Sequence, residues 1–219
     1  MKNFNEKTLV EKLDKILRKK FGTNLSFKEF SAGYGIADLV FASNFSFSKK
    51  AVSRAPLTNF YALKILLSIH KNQFSKEEVL SLGDVTEKRH LSSQLNFLIK
   101  NKYIEIVTNN HFKKCPSSNL GQIKKVIAIE VKLTDHKNGL LQAKRYQYFA
   151  DESYLAILKE AEKNIDINEF NKSNIGLILF DIKNNSIEIK YPKSQQTAAS
   201  KINIYAKELM LEKFLSLHS

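Results

Sequence analysis

The spacing of apolar residues changes along the chain and predicts both helices and strands. Residues 5–20 place a leucine or isoleucine every three or four positions, which predicts a one-sided helix that closes at Gly22. Residues 25–30 and 36–41 are short, mainly apolar runs on either side of a glycine-containing turn, and they predict two adjacent strands. The first part of the chain therefore has an α/β pattern.

A different pattern occupies the middle of the chain. It follows a linker at residues 43–55 that is rich in serine, asparagine and lysine. Capping boxes at Ser75–Glu78 and Asp84–Glu87 mark the starts of two helices. The predicted elements are helices over 57–69, 75–83 and 84–100 and strands over 103–107 and 111–114. Three helices followed by a β-hairpin is the order of a winged helix-turn-helix.

The first pattern resumes near residue 119. It predicts a strand over 126–133, a helix over 138–149, a short strand over 154–158, a short helix within 159–172, a hairpin of strands 175–182 and 187–191, and a closing helix over 198–217. We therefore expect an α/β (α+β) domain formed by residues 1–50 and 118–219. Residues 51–117 form the inserted winged-helix domain.

The strand over 126–133 carries two charges that are costly to bury. Side chains alternate across a strand, so Ile127, Ile129 and Val131 share one face while Glu130 and Lys132 share the other. A buried carboxylate or ammonium costs several kcal/mol unless it has a partner. Asp38 poses the same problem in the strand over 36–41. These charges mark a candidate functional site, and a structural ion pair would give the same pattern.

Charge composition favours an anionic partner. The chain has 35 lysines and arginines against 22 acidic residues, which gives a net charge of +13 and a pI near 9.6. Nucleic acid is the first candidate and a membrane surface the second. Most of the excess is lysine, so a generally lysine-rich composition is the alternative explanation.

Other features limit the class of protein. Cys115 is the one cysteine, which excludes an internal disulfide and a multi-cysteine zinc site. The sequence has no signal-peptide pattern and no apolar run long enough to span a bilayer. We expect a cytoplasmic protein without a membrane partner.

Asp38 and Glu130 become neighbours if their strands pair when the insertion is looped out. Two converging carboxylates that leave room for water suit Mg²⁺. Such an ion lowers the pKa of a bound water and neutralises charge on a phosphate. Lys132 shares a face with Glu130 and could hold the attacking water or stabilise the phosphate.

These residues resemble the PD-(D/E)XK nuclease superfamily. Gly35-Ile36-Ala37-Asp38-Leu39-Val40 is followed by Ile129-Glu130-Val131-Lys132 and then by Gln142-Ala143-Lys144-Arg145-Tyr146. The family uses an Asp, a strand Glu-x-Lys and often a Gln on the next helix. The resemblance covers the α/β part of the chain, and Ala37 stands where the motif's name has proline. It implies a restriction-endonuclease-like core with a mixed central sheet flanked by helices.

The resemblance also implies a role for each residue of the site. Asp38 and Glu130 hold Mg²⁺ (or Mn²⁺) with the Val131 backbone carbonyl, Lys132 is the catalytic lysine, and Gln142 orients water or a phosphate. Some members place a further acid on the first helix, where Glu11 matches loosely.

Arg145 falls on the helical face of Gln142, and its guanidinium could donate two hydrogen bonds to a phosphate. The alternative is that Gln142 and Arg145 merely flank a core formed by Tyr146 and Phe149.

The C-terminal hairpin contains a competing pattern. Asp181 and Glu188-x-Lys190 also give Asp…Glu-x-Lys. We expect this set to be the outward face of a solvated hairpin, so the central strand is the preferred site.

The winged-helix segment predicts a DNA interface. The helix over 84–100 buries three leucines and leaves polar residues where a recognition helix presents them. The predicted DNA-binding residues are Lys88, Arg89, Ser92, Ser93 and Asn96 on this helix, and Lys113 and Lys114 on the wing. Residues 51–125 contain 12 basic and 5 acidic residues, which favours DNA. Winged helices that bind proteins are the alternative.

The combined prediction is a metal-dependent DNA endonuclease-like protein whose winged helix positions the DNA. Because double-strand cutting usually needs two sites, a homodimer fits this function. The rival hypotheses are a catalytically inactive DNA-binding regulator or adaptor on the same fold, and a protein–protein module with incidental positive charge.

Overall fold

The computed structural model describes residues 4–43, 55–82, 88–116, 120, 122–192 and 200–218. The chain divides into two compact units, one of Met1–Phe45 with Gln122–Ala206 and one of Ser46–Gly121 with Lys207–Ser219. In chain order the elements are α1 (Glu6–Phe21), β1 (Ser26–Ser31), β2 (Ile36–Ser43), α2 (Phe60–Ser68), β3 (Gln73–Ser75), α3 (Lys76–Ser81), α4 (Lys88–Lys100), β4 (Ile104–Thr108), β5 (His111–Lys114), β6 (Lys125–Val131), α5 (His136–Tyr146), β7 (Glu152–Leu158), a 3-10 helix (Lys159–Asn164), α6 (Ile167–Ser173), β8 (Gly176–Asp181), β9 (Ser186–Lys190) and α7 (Lys201–His218).

The first unit is built on a six-stranded mixed sheet in the order β1-β2-β6-β7-β8-β9. The pairs β1/β2 and β2/β6 are antiparallel. The pairs β6/β7 and β7/β8 are parallel, and β9 returns antiparallel to β8. The parallel pairs need crossover connections, which α5 and α6 provide. The prediction of an α/β domain with a mixed central sheet is confirmed.

Helices cover both faces of the sheet. On one face α1 buries Leu9, Leu13 and Leu17 against alternate residues of the central strands. On the other face α5 contributes Leu140 and Ala143 to a second core cluster. The alternation of β7 between the two clusters shows that they lie on opposite sides of the sheet.

Gly139 lets α5 approach the sheet closely. An added Cβ there would lie 2.5 Å from Leu155 Cδ1 and 3.1 Å from Lys132 Cγ. The stem of Lys132 is therefore held between its own strand and α5.

The second unit combines α2, α3 and α4 with a three-stranded sheet in the order β3-β5-β4. The predicted helices and hairpin are present, and the capping box at Ser75–Glu78 is confirmed by both of its hydrogen bonds. Most of α7 belongs to this unit, where the buried Glu208 accepts from the Leu57 N–H at 2.8 Å.

Several details differ from the sequence-based predictions. The short strand β3 was missed because three residues carry too little periodicity to register. The helix predicted from Asn138 begins two residues earlier, because the side chain of Asp135 accepts from Asn138 N and caps it. The predicted capping box at Asp84–Glu87 lies outside the described residues. Across the described ranges, no helix is both long enough and apolar enough to cross a membrane.

Candidate active site

The register of β2 and β6 brings the two predicted acids together. Leu39 pairs with Ile129 in the antiparallel ladder, and one further step along both strands places Asp38 opposite Glu130. Directly opposed residues point to the same face, with their Cβ atoms about 5 Å apart. That face is the one α5 covers, because Leu39 and Ile129 belong to the core under α1.

Asp38 is fixed by the main chain of the neighbouring strand. Its Oδ2 accepts a 2.7 Å hydrogen bond from the Val131 N–H. The carboxyl is half-buried, and burial raises its pKa, while the Val131 N–H and the Lys132 charge act in the opposite direction. Since the N–H and C=O of one strand residue point to the same side, the Val131 carbonyl also lies on the Asp38 side.

Glu130 is the most enclosed charge of the site, with a residue exposure of 1%. Its Oε1 lies 2.6 Å from Lys132 Nζ, and its Oε2 contacts the Tyr146 hydroxyl. Burial raises the pKa of Glu130. The hydrogen bonds from Lys132 and Tyr146 oppose that rise, and the charge of Asp38 adds to it. The cost predicted for burying this carboxylate is therefore offset by two donors.

The Lys132 side chain is 18% exposed and stays charged. Burial alone lowers its pKa, but the hydrogen bond to Glu130 and the negative charges of Glu130, Asp38 and Glu6 outweigh burial and raise it. The ammonium is therefore a permanent donor at neutral pH.

Tyr146 links α5 to two strands. Its hydroxyl lies 2.7 Å from the Ile36 carbonyl oxygen and also contacts Glu130 Oε2. A phenol carries one proton, so Tyr146 donates to one of these two oxygens at a time, and a charged carboxylate is the stronger acceptor. Burial and then Glu130 raise the pKa of Tyr146 well above its usual range, which keeps the hydroxyl protonated.

Gln142 and Arg145 lie beside the buried stripe of α5. The Gln142 side chain is half-buried and forms no hydrogen bond with another described side chain or backbone group, whereas Arg145 is exposed. Tyr146 and Phe149 are core residues, as the alternative to the phosphate-binding prediction supposed. Neither Gln142 nor Arg145 contacts Glu130 directly.

Three site residues were not predicted from the sequence. The sequence-based prediction assigns no role at the site to Tyr146, although its position four residues after Gln142 is a signal for one. Glu6 and Glu29 both act on Asp38, where their charges raise its pKa. The acid of α1 that reaches the site is thus Glu6, whereas Glu11 pairs with Lys28.

The competing hairpin set does not converge. The Asp181 carboxylate accepts from the Asn184 backbone and side chain within the turn, and these bonds lower its pKa. Glu188 lies 3.9 Å from Lys159, and Lys190 lies 2.8 Å from Glu162. Each member has its own partner on the surface.

The predicted DNA-binding residues have different environments. Ser92, Ser93 and Asn96 are exposed on α4. Lys113 lies 3.4 Å from Glu105 in a surface pair. The Lys114 ammonium instead donates to the Ile69 carbonyl, and burial lowers its pKa. The prediction that Lys114 is a free cation on the wing is therefore wrong, because its side chain makes a tertiary contact. The side chains of Lys88 and Arg89 lie outside the described residues.

The site contains few oxygen atoms that could bind a metal ion. Within the described ranges, no three side chains of the types His, Cys, Asp and Glu converge to hold a metal ion. The predicted set uses two carboxylates and one main-chain carbonyl, so it does not depend on such a triplet. Comparisons with protein-family models, with curated proteins and with solved structures gave no match.

Proposed function

We propose that this chain is a metal-dependent, endonuclease-like protein that hydrolyses DNA phosphodiester bonds on a restriction-endonuclease-like core of the PD-(D/E)XK type. The observation that carries the proposal is the placement of Asp38 opposite Glu130 on adjacent strands, with Lys132 Nζ 2.6 Å from Glu130. The family motif requires this meeting of an acid with a Glu-x-Lys strand. The chain separates the two motifs by roughly ninety residues, so sequence proximity does not explain their meeting.

The donor set suits a small hard cation. Mg²⁺ prefers a few carboxylate and carbonyl oxygens and keeps several waters. Asp38 and Glu130 both have raised pKa values and repel one another, so a cation between them removes an electrostatic cost. Asp38, Glu130 and the Val131 carbonyl would hold Mg²⁺, or Mn²⁺ in its place. A bound ion of this kind supplies charge neutralisation at the phosphate and a more acidic water.

The remaining roles belong to side chains already in position. The Lys132 ammonium is charged and held by the close packing of Gly139 against its stem, so it can donate to the attacking water or to a phosphate oxygen. Tyr146 fixes the Glu130 carboxyl from the α5 side. The side-chain amide of Gln142 has no hydrogen-bonding partner among the described residues, which leaves it available to a water or a phosphate oxygen.

The second unit is proposed to position the DNA as a winged helix. Its α4 exposes Ser92, Ser93 and Asn96 on the side opposite the buried Leu91 and Leu95. These residue types bind phosphates and base edges. A homodimer would supply the second active site that double-strand cutting needs.

Plasmid nicking in Mg²⁺ or Mn²⁺ tests the proposal. The full chain should convert supercoiled DNA to nicked circles, and chelation of the metal should stop the reaction. Glu130→Ala and Lys132→Ala should each abolish it. Nicking that both variants retain would show that the activity does not arise at this site.

The second candidate function is a DNA-binding regulator or adaptor without catalysis. One observation favours it: both oxygens of Glu130 are engaged by protein donors, as in a structural ion pair. Calorimetric titration separates the two functions. Binding of Mn²⁺ that disappears in Asp38→Asn supports the nuclease, whereas DNA binding without metal binding supports the regulator.

A further inference from the structure

An open cavity of about 490 Å³ lies beside the end of α5 in the first unit. Its lining combines two cations, an amide, a hydroxyl and an aromatic ring. The lining residues are Lys144, Arg145, Gln147, Tyr148 and Ser173. None of them belongs to the carboxylate site or to the core of the sheet.

The aromatic wall is a preassembled stack. Tyr148 packs on Tyr34 with ring centroids 4.6 Å apart and ring planes 21° from parallel. Tyr148 is nevertheless 58% exposed. Because Tyr34 covers one ring face, an exposure this large requires the other face of Tyr148 to be open. The stack therefore presents a flat aromatic surface whose position is already set.

The cations of the cavity are weakly engaged. The Arg145 guanidinium forms no ion pair or hydrogen bond with any other described residue. Lys144 lies 4.0 Å from Glu169, and both side chains are substantially exposed, so this pair is weak. Two positive charges thus flank the open ring and favour an anionic ligand.

Gln147 fixes the opposite side of the cavity. Its amide nitrogen donates to the Ser173 carbonyl at 2.9 Å and to the Asn174 carbonyl at 3.2 Å. These bonds hold the end of α5 to the end of α6 and use both amide protons. The Gln147 side-chain oxygen is left as an acceptor for a donor group of the ligand.

The stack adjoins the carboxylate site through one hydrogen bond. The Tyr146 hydroxyl contacts the Ile36 carbonyl and Glu130. The two stacked tyrosines are close in sequence to Ile36 and Tyr146. Tyr34 precedes Ile36 by two residues, and Tyr148 follows Tyr146 by two. The stack and the contacts of the Tyr146 hydroxyl are therefore carried by the same two segments of the chain.

We propose that this cavity binds an unpaired nucleotide of single-stranded DNA, with its base on the open face of Tyr148 and its phosphate at Arg145 and Lys144. Base stacking on aromatic rings with cations along the backbone is how single strands are held. Bases inside a duplex already stack on their neighbours and offer no free face. The inference rests on the proposed nuclease function and names its substrate class: DNA with a single-stranded segment next to the cleaved bond.

Binding without cleavage gives the direct test. Fluorescence anisotropy of a labelled oligothymidine with the full chain in EDTA reports affinity independently of catalysis. Tyr148→Ala should weaken binding about tenfold, since stacking on one ring contributes that order of affinity. Tyr148→Trp keeps a stacking surface and should retain wild-type affinity. Tyr191→Ala removes a tyrosine of equal exposure in the same unit and should leave binding unchanged.

Two further DNA probes distinguish the contribution of the base to binding from that of the phosphate. A strand of the same length with abasic sites should bind about tenfold more weakly to the wild type and should be insensitive to Tyr148→Ala. A duplex of the same sequence should also be insensitive to Tyr148→Ala. Equal loss on duplex and single strand, or unchanged single-strand binding in Tyr148→Ala, would overturn the proposal.

The outcomes distinguish this inference from the proposed function. Metal-dependent nicking that persists in Tyr148→Ala, together with unchanged strand binding, leaves the nuclease standing and removes the nucleotide site. Strand binding that depends on Tyr148 in a protein without nicking keeps the nucleotide site and removes the catalytic function.

Discussion

The pattern Asp…Glu-x-Lys occurs twice in one sheet, and the two copies have different surroundings. The central copy lies on β2 and β6, which have strands on both sides. There Glu130 is 1% exposed and receives hydrogen bonds from Lys132 and Tyr146. The neighbouring Asp38 accepts from the Val131 N–H. The acids of this copy lie opposite one another, and the Lys132 charge acts on both.

The peripheral copy lies at the edge of the same sheet. Asp181 ends β8, while Glu188 and Lys190 lie on β9, the edge strand. The Glu188 side chain is 50% exposed and that of Lys190 is 40% exposed. Each pairs with a different residue of the 3-10 helix.

The difference shows that position in the sheet, more than spacing in the sequence, determines whether the charges converge. On an inner strand, neighbours on both sides exclude water and bring a second acid to the same level. On an edge strand, the same spacing gives solvated surface pairs, which contribute little. Matched substitutions in the two copies test this conclusion.

The largest contrast should appear in catalysis. Glu130→Gln removes a charge without changing shape, and we expect plasmid nicking to fall by at least about 100-fold, a typical loss when a catalytic electrostatic group is removed. Glu188→Gln is the matched change in the peripheral copy and should leave the rate within about twofold, since the side chain is half solvated. Initial rates under excess enzyme measure both. Equal effects of the two substitutions would contradict the assignment.

Stability should show the next contrast. Lys132→Met keeps most of the side-chain volume but leaves Glu130 enclosed without its ammonium, so we expect the free energy of unfolding to fall by about 3 kcal/mol. Lys190→Met breaks a surface pair and should cost less than about 1 kcal/mol. Urea unfolding followed by far-UV circular dichroism compares them.

The pH dependence of that stability loss follows from the Glu130 pKa. Burial raises this pKa in the folded protein, so as the pH falls Glu130 becomes neutral earlier than an ordinary glutamate does. The loss caused by Lys132→Met should therefore shrink at low pH. A loss that is constant from pH 8 to pH 5 would contradict the pairing as its cause.

Packing between α5 and Lys132 gives a smaller effect. In Gly139→Ala the new methyl group meets Leu155 Cδ1 at 2.5 Å and the Lys132 stem at 3.1 Å, and Leu155 is fully buried. We expect a loss of about 1 kcal/mol in stability together with a several-fold loss of nicking, because Lys132 is displaced.

Gly22→Ala is the control for this packing effect. It places alanine at a φ of 62° with no other atom within 4 Å, so it should cost about 1 kcal/mol through strain alone. Its nicking rate should not change. A comparable loss of activity in Gly22→Ala would mean that the result for Gly139→Ala comes from reduced stability. Displacement of Lys132 would then not be its cause.

Periodicity was sufficient to predict the six strands of the larger sheet and the faces of Glu130 and Lys132. The meeting of Asp38 with Glu130 was predicted from the order of the motifs, on the assumption that their strands pair across the insertion. It predicts which face a residue occupies because a strand repeats every two residues. It does not predict which distant side chain reaches that face. The Tyr146 hydroxyl, the approach of Glu6 and the burial of the Lys114 ammonium depend on how helices and loops close over the sheets, and so they were missed. The edge position of β9 is likewise a property of the whole sheet.

The smallest effect should come from the Tyr146 hydroxyl. Its hydrogen bond lowers the pKa of Glu130, while burial raises it, so Tyr146→Phe should raise that pKa further. Protons and cations compete for the same carboxylate, and a higher pKa means that the proton is retained to higher pH. We therefore expect Mn²⁺ affinity in Tyr146→Phe to fall a few-fold near pH 6 and to approach the wild-type value near pH 9. Tyr154→Phe removes a hydroxyl that donates at 2.9 Å to Glu152 of the same strand, β7, and not to the site, so its affinity profile should follow that of the wild type. Calorimetric titration of both variants over this pH range makes the measurement. An equal loss at every pH would mean that Tyr146 supports the site through packing, and that the distinctive chemistry of the central copy resides in the charges of Asp38, Glu130 and Lys132 alone.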